Sequence, residues 1–203
     1  MKSSKIWQIL HHERDLKSQA SVTTHRVLAV TSASLRDEVF TFIYSKKRVD
    51  EAILRLNNVI KATPENSEAI ALKAYALNKL ANIRREWQYS AHALDYAERA
   101  LALNPNDDIA LTSKGWALID LGRAEEALKP LEQATLLNPR NQYAWYNLAW
   151  AQYLTGNAAA STESLKAALG IDPGNSIIRR GKDSMEKGEL PEHLRKLGRN
   201  PSL

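Results

Sequence analysis

Residues 142–175 read QYAWYNLAWAQYLTGNAAASTESLKAALGIDPGN, and the spacing of their small, apolar and proline residues recurs in the sequence before them. Four prolines mark the repeat at intervals of 41, 34 and 34 residues: Pro64, Pro105, Pro139 and Pro173. Mostly small residues precede these prolines by twelve and five positions: Ala52 and Val59, Ala93 and Ala100, Ala127 and Ala134, Ser161 and Ala168. A fixed period of this length is typical of a stacked repeat array rather than of one globular core.

Each repeat unit has the sequence pattern of two helices. In the last complete unit, residues 143–154 are dense in apolar and aromatic side chains, and Gly156-Asn157 follows as a pair that can end a helix in a left-handed conformation. Residues 160–169 form a second amphipathic stretch, after which Pro173 blocks continuation of the helix. Small residues seven positions apart lie on one helix face, where they allow a neighbouring helix to approach closely.

The stretch AWYNLA at 144–149 belongs to a pattern that resembles the tetratricopeptide repeat (TPR) family. The same unit matches the family through Tyr153, Gly156, Ala168 and Pro173, and the preceding unit through Gly115, Gly122, Ala127, Leu131, Ala134 and Pro139. The resemblance implies an all-α fold, a right-handed α-solenoid of helix hairpins with helical caps. Arrays of this kind generally present a long surface to a partner protein, so we expect no enzymatic activity and no cofactor.

The predicted array covers residues 33–187 and contains four units: 33–66, 67–107, 108–141 and 142–175. The first unit departs from the family pattern at Arg36 and Phe40. The second is seven residues too long, and the excess falls between Leu80 and Ala93. Seven residues are about two helical turns, so we predict that each helix of this hairpin lengthens by about one turn. Pro130 lies inside a predicted helix, where we expect a mild kink and no break.

Three flanking segments complete the predicted organisation. Residues 1–32 are expected to form a helix that caps the array or packs on it, 176–187 a capping helix, and 188–203 a flexible basic tail. Residues 1–32 carry five Lys/Arg against two acidic residues, 176–203 carry seven against four, and 33–175 carry sixteen against seventeen. The whole excess of positive charge therefore lies outside the repeats, which argues against the basic surface stripe of a nucleic-acid binder.

Several classes of protein are excluded by what the sequence lacks. No stretch approaches eighteen uninterrupted apolar residues, so we expect no membrane span and a cytoplasmic location. The chain has no cysteine, which excludes disulfides and cysteine-ligated metal. His11 and Asp15 have a spacing that can share a metal ion, but no third ligand accompanies them. Phosphate loops, paired-carboxylate motifs and nucleophile elbows are absent from the sequence.

The resemblance places the first helix of each unit on the inner, concave face of the array. The predicted partner-binding residues at these places are Tyr75, Asn78, Lys79, Trp116, Ile119, Tyr143, Tyr146, Asn147, Trp150 and Tyr153. Tyr75, Trp116 and Trp150 occupy the same place in three successive units. Trp116 and Trp150 are the most informative, because family members generally have a polar or small residue there. We therefore expect both indole rings to be partly exposed on the concave face.

Two interpretations of these aromatic residues stay open. They contact a partner, as exposed aromatic residues in concave surfaces often do. Alternatively, they pack on the chain's own flanks, with Ile6-Trp7 or residues 28–30 filling the groove. The inner places at which some family members grip a C-terminal carboxylate hold mostly unsuitable residues, which argues against that activity: Asp37, Thr41, Leu72, Ile109 and Ser113.

The predicted function is a protein–protein adaptor or scaffold that binds a peptide or helix in the concave groove. One alternative is a self-assembling scaffold whose partner is another copy. Another is a regulatory or accessory domain of a larger enzyme, or of a secretion or chaperone system. The sequence identifies neither the partner nor the process.

Overall fold

The computed structural model describes residues 32–44 and 48–196 of the 203-residue chain. The predicted all-α fold is confirmed, because these ranges hold ten helices and no strand, in a solenoid of helix hairpins. The helices are α1 (Ser32–Tyr44), α2 (Val49–Ala62), α3 (Ser67–Arg84), α4 (Gln88–Leu103), α5 (Asp108–Asp120), α6 (Ala124–Leu137), α7 (Gln142–Leu154), α8 (Ala158–Ile171), α9 (Ser176–Glu186) and α10 (Glu192–Lys196).

The chain divides into two compact units, residues 1–40 and 41–203. Residues 32–40 are the described part of the first unit and belong to α1. In the second unit, each helix from α2 to α9 packs against the next one in sequence. The first helices of successive hairpins, α3, α5 and α7, also pack against one another and so form one continuous face. No helix within the described ranges is long and apolar enough to cross a membrane.

Two residues after each repeat proline lies an Asn or Asp that caps the N-terminus of the following helix. These N-cap residues are Asn66, Asp107, Asn141 and Asn175, and each side-chain oxygen accepts a backbone hydrogen bond. The Asp107 carboxylate, for example, accepts from the backbone N–H groups of Ile109 and Ala110 at 2.9 Å each. Such caps typically stabilise a helix by about 1 kcal/mol. The proline ends one helix and the following cap begins the next, so the repeat period fixes the helix boundaries.

Three-residue turns join the two helices of the hairpins α3–α4, α5–α6 and α7–α8. Gly122 (φ 73°) and Gly156 (φ 83°) adopt the left-handed conformation in two of these turns, as the sequence predicted for Gly156. In the turn after α3 the left-handed residue is Arg85 (φ 59°), the only non-glycine residue with positive φ in the described part of the chain. A side chain makes this conformation about 1–2 kcal/mol less favourable than a right-handed one.

The long hairpin of the second unit consists of α3 with 18 residues and α4 with 16. The next hairpin, α5 and α6, has 13 and 14 residues. All seven extra residues are therefore helical, as predicted, but their expected equal division is wrong, because α3 takes five of them. The extended end of α3 has support from α2: the Arg84 guanidinium donates to both carboxylate oxygens of Asp50, at 2.8 and 2.9 Å.

Small residues allow close packing within the hairpins. Ala127 and Ala134 are fully buried, which agrees with their predicted place at helix contacts. Gly115 lies so close to Leu131 that a Cβ atom at this position would collide with the leucine side chain. Helix α6 runs through Pro130 without a break, as expected. Helices α5 and α6 are therefore in close contact at Gly115 and Leu131.

The C-terminal end of the described chain differs from the predicted flexible tail. After α9, Gly188 (φ 69°) turns the chain, and the side chains of Leu190 and Leu194 are buried. Helix α10 extends this ordered stretch to Lys196. The sequence suggested mobility because glycine, proline and charged residues dominate here, but two leucines four residues apart suffice to anchor the segment. Residues 1–31 and 197–203 lie outside the described residues, and so does the predicted N-terminal helix.

Candidate functional site

The candidate site is the face formed by α3, α5 and α7, which carries all ten predicted partner-binding residues. Five of them are partly exposed: Lys79, Trp116, Tyr143, Tyr146 and Tyr153. The other five are buried: Tyr75, Asn78, Ile119, Asn147 and Trp150. The aromatic residues do not form the single ladder that their equivalent places suggested. They separate into two clusters, one with rings from α1, α3, α5 and α7 and the other with rings from α7 alone.

The first cluster contains Tyr44, Tyr75, Trp116 and Tyr143 and is called the N-terminal aromatic cluster below. The Tyr75 ring meets Trp116 edge-on at 5.7 Å between ring centroids, and it meets Tyr143 at 6.5 Å. Tyr44, at the end of α1, stacks on Tyr143 at 6.3 Å. The Lys79 ammonium lies 5.9 Å from the centre of the Tyr44 ring. Trp116 is partly exposed and Tyr44 is 52 % exposed, so the cluster offers aromatic surface to solvent beside a positive charge.

Burial controls the ionisation of the tyrosines in this cluster. It raises the pKa of Tyr75 well above the usual value, and the neighbouring Tyr44 adds to the shift. The pKa of Tyr44 is also raised, first by burial and then by Tyr143. Both phenols therefore keep their protons near neutral pH, where they can donate hydrogen bonds.

The second cluster contains Tyr146, Trp150 and Tyr153 and is called the C-terminal aromatic cluster. Trp150 meets the other two rings edge-on, at 6.4 Å for Tyr146 and 5.8 Å for Tyr153. Helix α9 closes this cluster from one side, because Gly181 lies so near the Tyr146 ring that a Cβ atom there would collide with it. Burial raises the pKa of Tyr146.

The expected exposure of the two tryptophans is right for Trp116 and wrong for Trp150, which is only 8 % exposed. Trp150 belongs to a buried cluster that also contains Ile119, Met185 and Leu194. The last two residues come from the C-terminal flank of the array, outside the four predicted units. Trp116 and Trp150 therefore have different environments although their places in the repeat are equivalent, because the C-terminal flank packs only around Trp150.

Two polar residues that were predicted to contact a partner, Asn78 and Asn147, are buried in the structure. The Asn78 amide donates to the backbone oxygen of Ser113 at 2.8 Å, so its side chain joins α3 to α5. Three buried polar atoms have no hydrogen-bond partner in the described part of the molecule: Asn78 Oδ1, Ser113 Oγ and Asn147 Nδ2. Asp120, at the end of α5, accepts a hydrogen bond from the Ser90 hydroxyl at 3.1 Å. Asn78 and Asn147 are therefore interior residues of the array, whereas the Lys79 ammonium lies beside the exposed Tyr44 ring.

Sequence reasoning missed four residues of this face and its surroundings. Tyr44 stands 31 positions before Tyr75, outside the repeat period and in the unit with the weakest pattern. Arg85 lies in the extra residues of the long hairpin. Leu190 and Leu194 gave a usable signal, since they form an apolar pair at helical spacing within an otherwise polar stretch.

The exposed surface of the face is largely aromatic. Within the ranges that the structure describes, no three His, Asp or Glu side chains come close enough to hold a metal ion. The exposed groups are aromatic rings, phenol hydroxyls and one ammonium. Such groups suit the recognition of apolar side chains, backbone carbonyls and carboxylates.

Comparison with known proteins gives one family match and several similar folds. The tetratricopeptide repeat family model matches residues 90–136 and 112–176. No curated protein matches the chain. Among solved structures, TTC0263, a thermophilic TPR protein of Thermus thermophilus, has a TM-score of 0.61 at 19 % identity, covering 77 % of this chain and 82 % of that one.

Two further structures have folds similar to this one. MamA from Desulfovibrio magneticus RS-1 has a TM-score of 0.52 at 20 % identity, and the match covers 82 % of this chain and 93 % of that one. A mutant O-GlcNAc transferase from Thermobaculum terrenum has a TM-score of 0.53 at 19 % identity, covering 69 % of this chain and 26 % of that one. At these identities the likeness shows the fold alone.

Proposed function

We propose that this chain, in which the tetratricopeptide repeat family model matches residues 90–136 and 112–176, is a non-catalytic scaffold that binds a peptide or helix of a partner protein. The binding surface is the N-terminal aromatic cluster with Lys79 beside it. The observation that carries this proposal is the partial exposure of Trp116, with Tyr44 and Tyr143 around it and an ammonium in reach of the same surface.

The geometry of this cluster suits an apolar anchor on the partner. Trp116 is held by the edge-on contact with the buried Tyr75 ring, so little side-chain freedom is lost on binding. An aromatic residue at the centre of an interface commonly contributes about 2 kcal/mol or more. Micromolar binding requires about 8 kcal/mol, so these anchors would act together with contacts along the rest of the face. The partner segment would place an apolar side chain against Trp116 and an acidic or carbonyl oxygen near Lys79.

A quantitative pull-down tests this function. Wild type, W116A and the control L54A are used as baits in extract of the source cells, and retained proteins are compared by mass spectrometry. Leu54 is 62 % exposed and lies on α2, outside the three helices of the candidate site, so the control removes apolar surface elsewhere. At least one protein should be retained by wild type and L54A and lost with W116A. Identical sets of proteins on all three baits would contradict the proposal.

Self-assembly is a second candidate function, and one observation favours it. Leu103, Leu137 and Ile171 end the second helices of three hairpins, 34 residues apart, and all three are exposed. Leu136 extends this apolar row. Light scattering at several concentrations measures self-association. The average mass should rise with concentration for wild type, whereas L136E/L137E should keep the mass of a monomer. A wild-type monomer at every concentration would contradict self-assembly.

An accessory role in a larger assembly is a third candidate. The similar region of the Thermobaculum terrenum transferase is only 26 % of that protein, so this fold also occurs as one part of a larger enzyme. The proposed location is cytoplasmic, which cell fractionation would test.

A further inference from the structure

Residues 188–196, called the C-terminal strap below, form a short ordered segment after α9. Gly188 (φ 69°) turns the chain, and Leu194 and Arg195 each donate a backbone hydrogen bond to the Pro191 carbonyl at 3.0 and 3.1 Å. Leu190 and Leu194 are 5 % and 2 % exposed, and Glu189 between α9 and Leu190 is exposed. The strap is therefore amphipathic, with its leucines buried against the rest of the chain.

Two contacts show where the strap lies. Leu194 belongs to the same buried cluster as Ile119 of α5 and Trp150 of α7. The Glu192 carboxylate lies 3.4 Å from the guanidinium of Arg85, which caps the C-terminal end of α3. The array places α7 and α5 between α9 and α3. The strap thus runs backwards from α9, past the ends of α7 and α5, to the long hairpin.

We propose that the C-terminal strap is an intramolecular ligand of the C-terminal half of the inner face, the half that carries Ile119 and Trp150. A partner helix of the same chemistry displaces the strap from this half. That helix carries two leucines four residues apart and a carboxylate between them, which takes the place of Glu192 at Arg85. The proposal rests on the proposed function, because it assigns a second subsite and its regulation to the same binding face. A ligand of the whole face binds the N-terminal aromatic cluster first and then competes with the strap.

The strap is short, and its ion pair with Arg85 lies largely in solvent. Helix α10 has five residues, and isolated helices of that length are unstable in water. Two leucine side chains hold it, and the Arg85–Glu192 pair is largely exposed, at 78 % and 57 % of the two side chains, so solvent screens it. Segments with few buried contacts open locally without global unfolding. Attachment to α9 compensates for these weak contacts by keeping the strap at a high effective concentration.

A peptide of this chain's own residues 186–196, labelled with fluorescein, tests the proposal by fluorescence anisotropy. The full-length variant L190S/L194S should release the strap and bind the peptide with at least about tenfold higher affinity than wild type, because a covered site lowers the apparent affinity by its open fraction. The matched control E189S/R195S changes two exposed residues of the same segment and leaves the net charge unchanged. It should bind like wild type.

Charge reversal sharpens the test at Arg85. In the L190S/L194S background, R85E should weaken peptide binding about two- to fivefold, and a peptide with E192K should recover the loss. The single variant L194A, which removes less apolar surface, should give the same order of affinities if the double variant loses helix content by circular dichroism.

Three results would overturn the proposal. Equal affinity of wild type and L190S/L194S means that the strap covers no site, and absence of binding to the released variant means that the face has no affinity for it. A wild-type dimer that dissociates in L190S/L194S would place the strap on a second copy. If the labelled peptide binds the released variant while no protein depends on Trp116 in the pull-down, the strap inference stands and the proposed function fails.

Discussion

Two tryptophans at equivalent places in the repeat have opposite surroundings on the inner face. Trp116 and Trp150 lie 34 residues apart, one in α5 and the other in α7. Trp116 is partly exposed in the N-terminal aromatic cluster, whereas Trp150 is buried in the C-terminal one. The difference comes from the residues that follow the last complete unit, since α9 and the C-terminal strap contribute Met185 and Leu194 to the cluster around Trp150.

This contrast separates two kinds of information in a repeat sequence. The period determines which residues share a helix face, because the proline and its following N-cap set each helix boundary. It does not determine whether that face is open, because the flanks that cover it do not repeat. An aromatic residue in a groove-facing place can therefore bind a partner in one unit and stabilise the fold in the next.

The largest expected effect separates the two tryptophans. W150A removes a buried ring and should lower the free energy of unfolding by about 3–5 kcal/mol. W116A removes a partly exposed ring and should cost less than about half as much. Urea denaturation followed by circular dichroism measures both values. Equal costs for the two variants would show that the halves of the inner face do not differ as described.

A smaller effect tests whether the contrast is confined to the inner face. Ala127 and Ala134 lie on α6 and are both fully buried, one in the cluster with Trp150 and the other beside Leu111. Replacing either by leucine should overpack the contact and cost about 1–3 kcal/mol. The costs should be similar, because both alanines lie on α6 and are fully buried. Unchanged thermal unfolding in both variants would mean that neither position lies at a tight helix contact.

The closing of the C-terminal half by α9 can be tested at Gly181. A Cβ atom there collides with the Tyr146 ring, so G181A should lower the free energy of unfolding by about 1 kcal/mol, even though alanine favours helix. G170A is the matched control, since Gly170 lies in α8 with no atom within 4 Å of an added Cβ. That variant should gain up to about 1 kcal/mol from helix propensity. A gain in both variants would show that α9 can move away from Tyr146 at no cost.

Most of the fold could be predicted from the sequence, because its determinants are local. The prolines, the Asn or Asp caps and the turn glycines act within a few residues of their own position. Even the helical nature of the long hairpin followed from the number of extra residues. Its uneven division did not, since it accompanies a contact between Arg84 and Asp50, which are 34 residues apart.

The candidate site was less predictable, because exposure depends on distant parts of the chain. The sequence placed the ten predicted residues on α3, α5 and α7, and the structure leaves five of them partly exposed. The sequence did not indicate that Tyr44 joins Tyr143, 99 positions further along. Nor did it indicate that Glu192 reaches Arg85 across 107 positions. Contacts of this kind join elements far apart in sequence, so no single repeat specifies them.

The smallest expected effect concerns the backbone at the point where the strap meets the long hairpin. Arg85 is left-handed at φ 59°, the conformation that Gly156 adopts in its own turn. R85G should therefore relieve strain, but it also removes the exposed ion pair with Glu192, so its gain in wild type should be smaller than the strain alone predicts. In the L190S/L194S background the ion pair is already lost, so R85G should stabilise by about 1 kcal/mol.

G156A is the reference variant for this effect. An added Cβ at Gly156 meets nothing within 4 Å, so its expected cost of about 1–2 kcal/mol is purely conformational. The four free energies from urea denaturation form a double-mutant cycle between Arg85 and the strap. If R85G has the same effect in both backgrounds, Arg85 and the strap are not coupled, and the closed half of the inner face is held by the leucines alone.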